Sequence, residues 1–152
     1  DYEARANIMW AGMLAHNDIA GVGREQDWAS HDIEHKLSSF YDCAHGAGLA
    51  IISPAWMKYI YKHDVMRFAQ FAVRVWKCNM NFDDPESTAL EGIARWENFL
   101  KSIGMPLSFA EIGAKEEDIP KMVAHLSKKG GVGAFIKIHE KEAEDIFRLA
   151  VR

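Results

Sequence analysis

The chain has 152 residues, 49% hydrophobic and 26% charged, which is enough apolar mass for one packed core. Its formal net charge of -4, with Lys and Arg scattered along the chain, offers no basic field for a phosphate backbone and argues against a nucleic-acid partner. No apolar run approaches the about 18 residues that cross a bilayer, and DYEARANIMW lacks the basic-then-apolar order of a signal peptide, so no membrane partner is expected and a cytoplasmic protein is.

Apolar side chains at Ile8, Met9, Met13, Ala15 and Ile19 recur at three-and-four spacing in Ala-rich filling, which predicts a first helix over 2–19. GVGREQDW, 21–28, reads as a connection. Ser30 is a candidate N-cap for a second helix from His31 to about Cys43, with Ile33, Leu37, Phe40 and Tyr41 on its apolar side. Gly46 and Gly48 allow close backbone approach at the head of a buried helix over 46–62 that Pro54 can kink. Asp64 caps the next helix through VMRFAQFAVRVW. After the loop CNMNFDDP, Asp84 as N-cap and Pro85 at the first helical position open a helix to about Ile103. Gly104 and Met105-Pro106 stop it, and Ser108 to Ile112 is at most a short helical turn. EEDIPKMVAHLSKK, 116–129, forms a helix ended by Gly130 and Gly131, and HEKEAEDIFRLAV forms the last. Nothing alternates at period two, so the expected fold is all-α, a bundle-like domain of about six or seven helices with no sheet, linker or repeat. Cys43 and Cys78 read as reduced core thiols.

Three of the seven histidines fall within fifteen positions, in HDIEHKLSSFYDCAH. His31 and His35, four apart, share one helix face, a spacing by which two imidazoles can hold one metal. H-D-I-E-H also satisfies the H-x-x-E-H pattern of inverted zinc proteases, with Glu34 as general base; its third ligand would have to come from Glu86, Glu91 or Glu97, none of which stands out. His31 and His45 would lie roughly 21 Å apart on one straight helix, against about 4 Å for two ligands of one ion. Their pairing therefore requires the chain to turn back near Asp42 to Gly48, and local geometry prefers the one-turn pair. His16, His63, His125 and His139 read as ordinary polar residues.

The stretch DWASHDIEHKLSSFYDCAHGAGLAIISPAWMKY is similar to the helical domain of the iron-containing (group III) alcohol dehydrogenases, closest to their butanol dehydrogenase branch. ARANIMWAGMLAHND resembles the helix before that motif, and GVGAFIKIHEKEAEDIFRLAV the family's C-terminal ending. The resemblance implies an N-terminal dinucleotide-binding domain, a C-terminal helical domain, and between them one divalent ion, iron or zinc, held by one Asp and three His. By motif, His31 and His45 match the last two histidine ligands. His35 matches a non-ligand histidine beside the nicotinamide and substrate, implying a proton-relay or positioning role in catalysis and cofactor binding. The implied chemistry is hydride transfer between NAD(P)H and an aldehyde or primary alcohol, the ion acting as Lewis acid on the oxygen. The butanol dehydrogenase likeness tilts the cofactor towards NADPH.

Within that resemblance Glu34 is a helix-face carboxylate available to the site's outer hydrogen bonds, and Trp28 and Phe40 are expected to pack as apolar residues. The Asp and His that would complete the ligand set are absent before residue 28, and Asp27 of D-W-A-S-H is taken as a local coincidence. No glycine-rich turn follows a strand. Residues 1–152, opening at Asp1 without a Met, are therefore expected to be the later part of the helical metal-binding domain without the dinucleotide-binding domain, inactive alone and prone to associate through Ile8, Met9, Trp10 and Met13. A homodimer is implied for the parent by resemblance only. A zinc hydrolase and a structural helical module are the rival readings.

Overall fold

Aspartate carboxylates set three of the helix starts: Asp1 accepts from the Ala4 amide at 3.2 Å, Asp64 from Arg67 at 3.0 Å and Asp84 from Ser87 at 3.2 Å, each satisfying an amide that the first helical turn leaves without a partner. In this computed structural model, which describes residues 1–124, 126 and 130–151, those starts open α1 (Tyr2–His16), α4 (Val65–Trp76) and α5 (Pro85–Ser102). The other helices are α2 (Ala29–Tyr41), α3 (His45–Ile60), α6 (Ile119–Ala124) and α7 (Glu140–Ala150). His125 and residues 127–129 of the helix expected over 116–129 lie outside the described residues. Among those described there is no sheet, only an isolated antiparallel bridge between Val132 and Ile138. None of the described helices is long and apolar enough to cross a membrane.

The core gathers Ile33 and Leu37 of α2, Ile51, Ile52 and Ala55 of α3, Ile93 of α5 and Ile146 and Phe147 of α7, all nearly inaccessible to water. α3 lies at the centre, packed against α2, α5 and α7. α4 and α5 pack most closely, and Gly92 makes this possible: a Cβ there would stand 2.7 Å from the Ala72 Cα. Pro54 is accommodated inside α3, where it is buried.

Several boundaries differ from the sequence reading, α3 (His45–Ile60, expected over 46–62) among them. α1 ends at His16 and a short 3-10 turn, Ile19–Gly21, follows; no residue of α1 is buried, so its apolar positions contribute nothing to the core. α2 begins two residues before His31. The Asp27 carboxylate accepts the Ala29 amide at 2.8 Å, and the Trp28 carbonyl accepts from Asp32, so Trp28 is the N-cap and Ser30 lies inside the helix. The helix expected from residue 116 starts as a 3-10 turn, Glu116–Asp118, before α6. Phe40, assigned to the apolar side of α2, is 38% exposed, whereas Ile33 and Leu37 are buried. Cys78 is buried and Cys43 half-buried, both as free thiols.

Candidate metal centre

α2 stops at Tyr41 because Asp42 takes a left-handed conformation (φ 49°, ψ 34°), its amide closing on the Ser38 carbonyl at 2.9 Å. Asp is among the few residues that reach this region at modest cost. Three residues after Asp42, α3 opens at His45, so the chain has reversed and laid the first turn of α3 against α2. The bend required for the fourteen-residue pairing is thus present, at Asp42. Gly46, offered above as part of it, has open space around it, while Gly48 is the glycine in close contact.

The reversal brings His45 between His31 and His35. The His31 Nδ1 and His45 Nε2 stand 3.2 Å apart, with ring centroids at 5.2 Å; the His35 and His45 centroids are 5.0 Å apart. Two nitrogens at about 2.1 Å from one ion are about 3.0–3.4 Å apart at coordination angles between square and tetrahedral, so the His31–His45 spacing suits two ligands of one centre. The donor chemistry also fits, since neutral imidazole is a common ligand for iron and zinc. Burial, then the neighbouring His45 and His35, hold the His31 imidazole below its ordinary pKa and so favour the neutral form a ligand needs. The indole of Trp28 lies 4.9 Å from the His31 ring and is half exposed, so it walls the site instead of entering the core. A cleft of about 250 Å³ opens beside His31, bordered by His16, Gln26 and Trp28.

Glu34 is the residue whose surroundings the sequence conveyed least. It is fully buried, and its Oε2 accepts from the Nδ1–H of His45. Glu34, His35 and His45 each bring one donor atom within 4.8 Å of the others. The direct Glu34–His45 hydrogen bond, however, leaves His45 only Nε2 for an ion, on the side facing His31. A fully buried carboxylate engaged in this way is also badly placed to activate water, against the H-x-x-E-H hydrolase reading. The third ligands nominated for that reading are engaged elsewhere: Glu86 accepts from the Tyr61 hydroxyl at 2.6 Å, Glu91 from Arg95 at 2.5 Å and Glu97 from Lys58 at 2.8 Å. Asp27 uses both carboxylate oxygens on backbone amides, Oδ1 on Ala29 and Oδ2 on Ala134 and Phe135 at 2.7 and 2.8 Å, which is a structural role.

The family described as Fe-containing alcohol dehydrogenase, C-terminal, matches residues 1–151. The chain belongs to this family. As a family member it is 36% identical over 151 residues to NADH-dependent butanol dehydrogenase A of Clostridium acetobutylicum, covering 97% of this chain and 39% of that protein. It is 35% identical over 133 residues to the NADPH-dependent aldehyde reductase YqhD of Escherichia coli, covering 86% and 33%. The crystal structure of NADH-dependent butanol dehydrogenase A from Thermotoga maritima superposes with a TM-score of 0.93 at 40% identity, covering all of this chain and 40% of that one. This member of the iron-containing family thus spans about two fifths of the length of its butanol dehydrogenase relatives, as an all-α C-terminal domain.

Proposed function

We propose that the chain supplies two ligands, His31 and His45, of a divalent metal centre in an NAD(P)-dependent alcohol dehydrogenase that interconverts an aldehyde and a primary alcohol. The observation that carries this reading is the approach of the His31 and His45 nitrogens to 3.2 Å across fourteen residues, in a chain of this family. An Asp and a further His, with a dinucleotide-binding domain, would come from an earlier portion of the full-length protein, by the resemblance described above. The ion itself, iron or zinc, supplies Lewis acidity to the substrate oxygen when bound.

This chain's own residues do the rest. His31 and His45 would hold the ion from two helices joined by the Asp42 reversal. Trp28 shields the His31 face from water, and the cleft beside it fits the alkyl end of a short alcohol. His35, exposed and adjacent to His45, would be the group that exchanges a proton with the alcohol oxygen, by the resemblance described above, and the nicotinamide, when bound, would supply the hydride chemistry. The butanol dehydrogenase relatives are NADH-dependent by name and the aldehyde reductase NADPH-dependent, which favours NADH over the NADPH tilt of the sequence reading. A cytoplasmic location and a homodimer complete the proposal, the latter on resemblance alone.

The test uses the full-length protein. His31→Ala and His45→Ala should each lose the bound divalent ion and NADH-dependent butanal reduction together, while His35→Ala should keep the ion and lose turnover. Metal retained by His45→Ala would return the site to a His31–His35 pair and refute the proposal. The 152-residue chain should not oxidise butanol by itself; appreciable turnover with NAD would overturn that part.

A further inference from the structure

We propose that Glu34 is the positioning residue for His45, and that Gly48 is glycine because it makes room for that carboxylate; the inference rests on the reading of His45 as a ligand. α2 and α3 meet through two pairs of residues three apart. On α2, His31 and Glu34 occupy successive turns of one side; on α3, His45 and Gly48 do the same. The crossing sets His31 against His45 and Glu34 against Gly48, with Glu34 reaching diagonally to the His45 ring. An alanine Cβ at position 48 would fall within 2.8 Å of both Glu34 Cγ and Cδ and overlap the Oε1 oxygen, so no side chain fits there while Glu34 holds its place.

Burying this carboxylate carries a cost. Its Oε1 is shielded from water and has no hydrogen-bond partner, an arrangement that proteins rarely keep without a reason. The reason lies at the other oxygen. His45 is the first residue of α3, and its side chain is 46% exposed, so its ring is not held by surrounding packing. The Glu34 Oε2 faces His45 Nδ1 and takes its hydrogen bond from the N–H there. Glu34 therefore fixes the proton of neutral His45 on Nδ1 and leaves the Nε2 lone pair aimed at the point it shares with His31 Nδ1. A carboxylate behind a ligating imidazole orients the ring and raises its basicity. Glu34 does this from the same helix that carries His31, so both ligands are referenced to one rigid element.

The experiment uses the full-length protein and two readouts besides activity. The first is the tautomer of His45 in metal-free protein, from long-range ¹⁵N–¹H NMR correlations; the second is zinc affinity by chelator competition. The wild type should carry the His45 proton on Nδ1. Glu34→Gln, which preserves shape and one acceptor, should weaken zinc binding by about 10-fold, and Glu34→Ala by about 10- to 100-fold with a mixed tautomer. Gly48→Ala, which displaces the carboxylate without touching any ligand, should reproduce the Glu34→Ala loss. If Glu34→Ala does not fold, the near-isosteric Glu34→Gln and Gly48→Ala carry the test. Wild-type affinity in all folded variants, or a His45 proton on Nε2 in the wild type, overturns the inference while leaving the ligand assignment standing. Unchanged affinity in His45→Ala overturns both.

Discussion

Asp27 ties the start of the ligand-bearing helix to a loop more than a hundred residues away, and its removal gives a sharp test of the fold. Its carboxylate accepts three backbone amides, Ala29 at 2.8 Å, Ala134 at 2.7 Å and Phe135 at 2.8 Å, all partly buried. Gly133, at φ +91°, brings the loop in so closely that a Cβ there would lie 3.0 Å from the Asp27 Oδ2 and from the Ala29 Cβ. At a net of about 1 kcal/mol for each hydrogen bond lost in a partly wet setting, Asp27→Ala should cost about 3 kcal/mol. For a chain of this length that is a fall in Tm of about 10 °C. Asp27→Asn can still present its oxygen to the Ala134–Phe135 pair but sets an NH2 against the Ala29 amide, and should cost about 1–1.5 kcal/mol. Urea unfolding with a shared m-value gives both numbers. A cost below 1 kcal/mol for Asp27→Ala would show that the amides find water as readily as they find Asp27, and the clamp would have to be abandoned.

Gly92→Ala should destabilise by about 1–3 kcal/mol, because the new methyl runs into the Ala72 backbone; an Ala72→Gly second change should recover part of that loss, and a neutral Gly92→Ala would mean that α4 and α5 separate without cost. Lys77 follows α4 in the left-handed region at φ 58° and ψ 32°. Lys77→Gly should gain about 0.5 kcal/mol, the relief of about 1 kcal/mol of backbone strain less the extra freedom of glycine in the unfolded chain; a lowered Tm would contradict this. Asp118 is held below the usual carboxylate range by its hydrogen bond from Lys121 and then by that from the Tyr41 hydroxyl. A folded-state pKa below the unfolded one means that its stabilising effect is present above about pH 4 and is lost as pH falls through the depressed value. The stability gap between wild type and Tyr41→Phe should accordingly narrow at acid pH, and a gap independent of pH would rule out the coupling.

What the sequence conveyed divides along the range of the interactions concerned. α4 and α5 begin where expected because Asp64 and Asp84 act on amides three residues away, and a local signal can be read locally. The start of α2 could not be read this way. Asp27 is chosen as its anchor by Ala134 and Phe135, and nothing near Ser30 announces that. The same holds for the centre: spacing alone favours His31 with His35, and only the resemblance pointed to His45. The structure brings His45 to both rings by a reversal that rests on one left-handed residue. Glu34 stands in a helix pattern like any solvent-facing carboxylate. Its burial depends on a bare backbone at Gly48, on a helix that the pattern of α2 says nothing about. The apolar residues of α1 follow the helical period as well as those of α2, yet have no core to enter, because periodicity shows a face and never its neighbour.

α1 also sets a difference in lifetime within the one chain. It touches little beyond the 3-10 turn that follows it, and none of its fifteen residues is buried. A helix of that length without tertiary support is only marginally formed in water. In the 152-residue chain its amides should therefore exchange with deuterium almost as fast as those of a free peptide, while the amides of α3, at the centre of the core, wait for the whole domain to open. A protease should remove α1 first and leave a resistant remainder that still carries His31, Glu34, His45 and Gly48.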